Sequence, residues 1–237
     1  MKQVLLNVKR FKQYTSECGI AAASSIANYY KSSINYESAR NLLPQQIRKN
    51  GVYTSQQARI LNRLGFKKVS IVTSDLSLVD FSWRNLSKKR LIAKLKQLSR
   101  YYNRTKQKHL KLYVLDMIDW LEDKTCDNKL IIDYNLPKYI KRSIGSYKPV
   151  GACFNWTSLF RMMKSPKKKN GAGDIYGEPE SHAVVIRGYD EEGIFIVDSH
   201  HAHYRGKLKK YRKGYYKLLW ANFLVNAQGG DLLLVHG

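Results

Sequence analysis

The stretch KQYTSECGIAAASSIANYY, residues 12–30, constrains this chain more than any other. Small and apolar residues (Ile20, Ala21, Ala22, Ala23, Ile26, Ala27) follow Cys18 and Gly19 at helical spacing, which predicts a helix that must be buried on most sides. Its first residue is a cysteine. At a helix start, N–H groups without intrahelical partners and the helix dipole favour the thiolate, the form that attacks carbonyl carbon. Gln13 lies a few residues upstream and can fold back, so that its side-chain amide and the Cys18 N–H bind a developing oxyanion. Gly19 is expected to leave room for substrate. Taken alone, Cys18 also fits a buried thiol serving as a small apolar residue, so a partner is needed to decide.

The partner is SHAVVIRGYDEEGIFIVDSH, residues 181–200. Two β-branched, apolar runs flank Asp190, Glu191, Glu192 and Gly193, the pattern of a hairpin of two buried strands. His182 opens the first strand and Asp198 closes the second, so antiparallel pairing sets them side by side. The Asp198 carboxylate then fixes the His182 tautomer, and the other ring nitrogen takes the thiol proton and later returns one to a leaving amine.

Gln13, Cys18–Gly19, Ala21, Tyr29 and Tyr30, then GVYTSQQARILNRLGF (51–66), KPVGACF (148–154), His182 before a Val-Val strand, and Asp198 together resemble the bacteriocin-processing cysteine peptidases. These are papain-like domains, often fused to export transporters, that cut leader peptides after a double glycine. The resemblance spans most of the chain except residues 84–133. It implies Gln13 as oxyanion donor, Cys18 as nucleophile, His182 as general base and acid, Asp198 as orienting carboxylate, and a peptide or protein substrate. Two positions depart from the family pattern: the interval from Gln13 to Cys18 is one residue short of the transporter-linked members, and Ser199 stands where proline is usual. No transporter follows, so the chain reads as a standalone member.

A chain of 237 residues suits a single domain, 1–237, with an elaboration at about 84–133. The expected fold is α+β and papain-like: an N-terminal helical half carrying the nucleophile, packed on an antiparallel sheet half. No long apolar run is present and the N-terminus has too short an apolar core for a secretory signal, so the expectation is a chain without a transmembrane segment, cytoplasmic as synthesised or delivered in a larger assembly. Cys18, Cys126 and Cys153 lack metal-type spacing and read as reduced thiols, with Cys153 in the core. The chemistry calls for no cofactor.

Charge points to partners. Lys and Arg number 42 against 18 acids, a net +24, which attracts polyanions or acidic proteins. Residues 84–145 hold 16 basic and 6 acidic residues. There Leu86, Ile92, Leu95 and Leu98, then Leu110, Leu112, Leu115, Ile118 and Leu121, predict two amphipathic helices. Their basic face is either solvated or a docking face for an acidic partner, with Tyr101, Tyr102, Arg104 and Lys106 as candidate contacts.

Elsewhere, strands are expected at residues 4–10, 67–73, 130–133, 149–154 and 231–235, and helices at 36–43, 55–64, 137–144 and 215–223. Thr54 and Ser55 suit an N-cap and Gly65 a helix stop. Residues 156–180, rich in Gly, Pro and Lys, read as a loop beside His182, either a lid or a surface excursion. His200, His201 and His203 invite a metal reading, but co-ligands at suitable spacing are missing. Two rivals to a protein-cleaving enzyme stand: a peptidoglycan peptide hydrolase, and a non-catalytic basic module.

Overall fold

A computed structural model describes residues 3–49, 51–162, 164, 177–200, 211, 213–227 and 230–236. The cysteine helix, α1 (Cys18–Tyr30), is buried from Gly19 to Ala27. Of its two interior serines, Ser24 is satisfied within the helix, its Oγ donating to the Ile20 carbonyl at 2.7 Å. Two short helices follow, α2 (Tyr36–Arg40) and α3 (Gln45–Lys49), then α4 (Thr54–Arg63). The N-cap of α4 is Tyr53, whose N–H donates to Gln56 Oε1 at 3.0 Å. Thr54 and Ser55, expected as caps, lie in its first turn instead. Gly65 ends the helix at φ +98, a conformation glycine adopts without a Cβ penalty.

The sheet assembles β1 (Val4–Leu5), β2 (Lys68–Thr73), β3 (Asp127–Ile132), β4 (Val150–Asn155), β5 (Ser181–Tyr189), β6 (Gly193–Val197), β7 (Tyr215–Leu219) and β8 (Asp231–Val235). Its order is β3-β2-β8-β4-β5-β6-β7, with β1 on the end of β5. The expected antiparallel sheet needs one correction: β2 and β3 run parallel, Lys68 opposite Asp127 and Thr73 opposite Ile132. A parallel pair requires a long crossover, and the insertion supplies it as α5 (Lys88–Arg104) and α6 (Lys108–Glu122). Nor do the halves separate by chain order, since β1 and β2 come from the first half and sit in the sheet. The remaining helices are α7 (Leu136–Gly145), α8 (Trp156–Leu159) and α9 (Trp220–Asn226). The expected strand at 4–10 shortens to two residues, and residues 215–219, expected as helix, form β7.

The insertion docks by its apolar face and by polar bonds that are buried or partly buried. Asp116 accepts from Ser55 Oγ at 2.5 Å and Arg59 Nη2 at 2.8 Å, and Trp120 Nε1 donates to Asn62 Oδ1 at 3.1 Å. The buried stripe of α6 is Val114, Met117, Ile118, Trp120 and Leu121; Leu112 and Leu115 face solvent. Counting leucines alone mis-phased that helix, because Val, Met and Trp carry the 3.6-residue period. Tyr102 is also not a surface contact: it is buried, its hydroxyl donating to the Ser77 carbonyl at 2.5 Å, whereas Tyr101 is exposed. No helix among the described residues is long and apolar enough to cross a membrane.

Candidate active site

Cys18 is the first residue of α1, and the chain reverses just before it. Glu17 N–H donates to the Tyr14 carbonyl at 3.2 Å, with Ser16 at φ +62, and this turn brings Gln13 back to the helix start. Glu17 is buried yet well paired: Tyr36 OH donates to its Oε2 at 2.5 Å and Arg40 Nε at 3.0 Å.

The hairpin of β5 and β6 places the other groups. His182 Nε2 lies 2.8 Å from Asp198 Oδ1, both residues buried. Asp198 also accepts from the His200 N–H at 2.8 Å and from Tyr216 OH at 2.7 Å. With Nε2 on the carboxylate, Nδ1 is left for the thiol; Cys18 and His182 line the same cleft and the ring favours the thiolate electrostatically. Burial would push the Cys18 thiol up, but the His182 ring, helped by the Ala183 N–H, outweighs it and holds the thiol below its ordinary value. For His182, burial opposes the charged ring, yet the Asp198 charge and hydrogen bond push it up to about 10. The arrangement favours a thiolate–imidazolium pair over two neutral groups.

Aromatic rings seal it. Trp156 stacks on the His182 ring, centroids 5.1 Å apart, and meets the His200 ring in a tilted contact at 4.4 Å. Excluding water strengthens each charge interaction behind it. In front lies a cleft of about 790 Å³, lined among others by Gln13, Cys18, Tyr53, Tyr113, Cys153 and His182. Tyr113, from α6, stacks on Tyr53 at 5.0 Å and donates to Asp231 Oδ2 at 2.6 Å. The insertion therefore builds one wall of the cleft.

Gln13 also lines this cleft. Its side-chain oxygen accepts from Ser199 Oγ at 2.6 Å and its N–H donates to the Ser199 carbonyl at 3.3 Å. So the structure brings Gln13, Cys18, His182 and Asp198 together. Gly19 is different. It is buried, and a Cβ there would meet Gln57 Cδ and Nε2 at 2.9 Å, so the room it leaves is filled by Gln57 rather than substrate. Cys153, expected in the core, is half-buried on the cleft wall, its thiol pushed up by burial. His200 packs on Trp156, while His201 and His203 lie outside the described residues, as does most of the expected loop at 156–180; its first residues form α8. Sequence reasoning does not single out Trp156, Tyr216 or Ser199 as partners of the site: Trp156 falls in the expected loop, Tyr216 carries no sequence signal, and Ser199 stands out only as a departure from a pattern.

Residues 5–226 match a family model described as the Peptidase_C39 like family. The chain belongs to that family. A crystal structure described as a C39-like peptidase, from Bacillus anthracis, is similar over 100% of this chain and 99% of its own, at 13% identity and a TM-score of 0.50. At that identity the likeness speaks for the fold. A comparison with the curated proteins finds no match. The double-glycine subtype suggested by the sequence is narrower than this family.

Proposed function

We propose that this Peptidase_C39-like chain is a cysteine peptidase that hydrolyses a peptide bond in a peptide or protein. The observation that carries the reading is His182 bonded to Asp198 at 2.8 Å on the cleft that Cys18 lines, with Cys18 held below its ordinary thiol value at a helix start. The Cys18 thiolate attacks the carbonyl carbon, and the oxygen takes the electron pair against the Cys18 N–H and the Gln13 amide. As the C–N bond breaks, the His182 imidazolium gives its proton to the leaving amine, leaving a thioester on Cys18. His182 then takes a proton from water, whose oxygen attacks the thioester, and the collapse of the second oxyanion releases the acid and regenerates the thiolate. Asp198 holds the ring in register throughout.

A mixture of extended peptides, including ones with a Gly-Gly site as in bacteriocin leaders, tests this by mass spectrometry. Cleavage by the wild type and its loss in Cys18→Ala are expected; no cleavage of any peptide by wild type overturns the reading. Cleavage of purified sacculi instead would make it a peptidoglycan peptide hydrolase.

A second reading concerns partners. The outer face of α5 exposes Lys88, Lys89, Arg90, Lys94, Arg100 and Arg104, and we propose it as a docking face for an acidic partner or polyanion. Binding of heparin that weakens steeply with salt, and weakens further when these residues become Gln, is the expected result; salt-independent binding excludes it.

A further inference from the structure

We infer that Ser199 is a positioning residue for the oxyanion site, its hydroxyl holding the Gln13 amide so that the N–H₂ end faces the Cys18 carbonyl adduct. This rests on the role proposed for Gln13. A glutamine amide presents a donor at one end and an acceptor at the other. Turned over, it would aim an oxygen at the developing oxyanion and raise the barrier it is meant to lower.

Three observations make Ser199 the anchor. Its Oγ lies 2.6 Å from Gln13 Oε1, a separation typical of O–H···O and short for N–H···O, so the hydroxyl donates and the amide oxygen is the end turned to it. Ser199 is buried and is not part of the cleft lining, whereas Gln13 and Cys18 are; the anchor lies behind the amide, on the side away from substrate. The backbone of the two residues is also joined, Gln13 N–H donating to the Ser199 carbonyl.

The segment carrying Ser199 is itself braced. Arg10 Nε donates to the Asp198 carbonyl at 2.6 Å and Nη2 to the His200 carbonyl at 2.7 Å, so one guanidinium grips the chain on both sides of Ser199. Asp198 Oδ1 closes a turn over it by accepting the His200 N–H. The dipeptide Asp198–Ser199 thus serves two groups: the carboxylate fixes the His182 tautomer and the next hydroxyl fixes the Gln13 amide. Proline at 199 would supply no hydroxyl for this.

The test is the turnover of p-nitrophenyl acetate, an activated ester that needs no knowledge of the natural substrate, together with Cys18 alkylation by iodoacetamide. Ser199→Ala is expected to lower kcat about tenfold with KM nearly unchanged, part of the ~10²–10³-fold that loss of a whole oxyanion donor costs. Its Cys18 alkylation profile against pH should match wild type, because the thiolate pair is untouched. Ser199→Thr, which keeps the hydroxyl, should recover most of the rate, and in a Gln13→Ala background Ser199→Ala should add nothing. The inference is overturned if Ser199→Ala slows alkylation and turnover together, which would place its effect on Asp198, or if its effect persists undiminished without Gln13. Should Gln13→Ala leave kcat at the wild-type value, the oxyanion role of Gln13 fails first, whatever Ser199→Ala does.

Discussion

His182 Nε2 and Asp198 Oδ1 stand 2.8 Å apart although the two residues are sixteen positions apart in the chain. The hairpin between them makes this obligatory: Val185 pairs with Val197, so the start of one strand and the residue after the other end on the same edge of the sheet. A bulge between Ile186 and Gly188 absorbs the register shift before the strand ends.

The pH dependence follows from this pair. His182 is pushed up to about 10 from an ordinary 6.5, so its contribution to stability is complete below 6.5 and is lost as pH rises through about 10. Cys18 is displaced downward, so its thiolate persists below the ordinary value of 9.0. Alkylation should therefore reach Cys18 at a lower pH than an ordinary thiol, while Cys153, pushed up by burial, reacts only under alkaline conditions. His182→Ala should move Cys18 above 9.0. Identical profiles for the two thiols would contradict the ion pair; site-resolved mass spectrometry reads them.

Asp198→Asn keeps the volume and removes the charge that raises His182. Turnover of a cleaved peptide should fall ~10²–10⁴-fold, and the alkaline limb of the pH profile should drop from about 10 toward 6.5. An unchanged limb would mean that another group sets it.

At Gly19 the prediction concerns stability. Gly19→Ala puts a methyl 2.9 Å from the Gln57 side chain, and because both are buried it should cost ~1–3 kcal/mol in urea unfolding. Adding Gln57→Ala should recover most of that loss; equal deficits in single and double variants would refute the contact.

Trp156→Ala removes the ring stacked on His182 and should cost ~3–5 kcal/mol, with Trp156→Phe much milder. Opening the pair to water weakens its Coulomb terms, so the Cys18 alkylation profile should shift toward alkaline pH in the Ala variant. Stability loss without that shift would leave Trp156 a packing residue only.

Tyr113→Phe takes the hydroxyl from Asp231, a buried carboxyl that burial pushes up and this bond pulls down. The bond favours the charged form, so the variant's deficit, ~1–3 kcal/mol, should be present at pH 8 and shrink in acid once Asp231 is protonated. A deficit that does not change with pH would assign it to lost ring packing.

The helix carrying Cys18, the hairpin, and the pairing of His182 with Asp198 were legible because each rests on local periodicity. Small apolar residues at 3.6 spacing made α1, and two β-branched runs around Asp190–Gly193 made β5 and β6. The insertion's two helices were legible for the same reason, though not the phase of α6, where Trp120 and Met117 rather than the leucines define the buried stripe.

What the sequence determined by itself was thus the placement of four side chains: a cysteine at a helix start, a histidine and a carboxylate that a hairpin brings together, and a glutamine close enough to fold back. Tertiary structure alone decided the surroundings. The parallel pairing of β2 with β3, Gln57 against Gly19, Trp156 over His182, Tyr216 on Asp198 and Ser199 on Gln13 all join residues far apart in the chain. No local period encodes such contacts, because they depend on how finished elements pack.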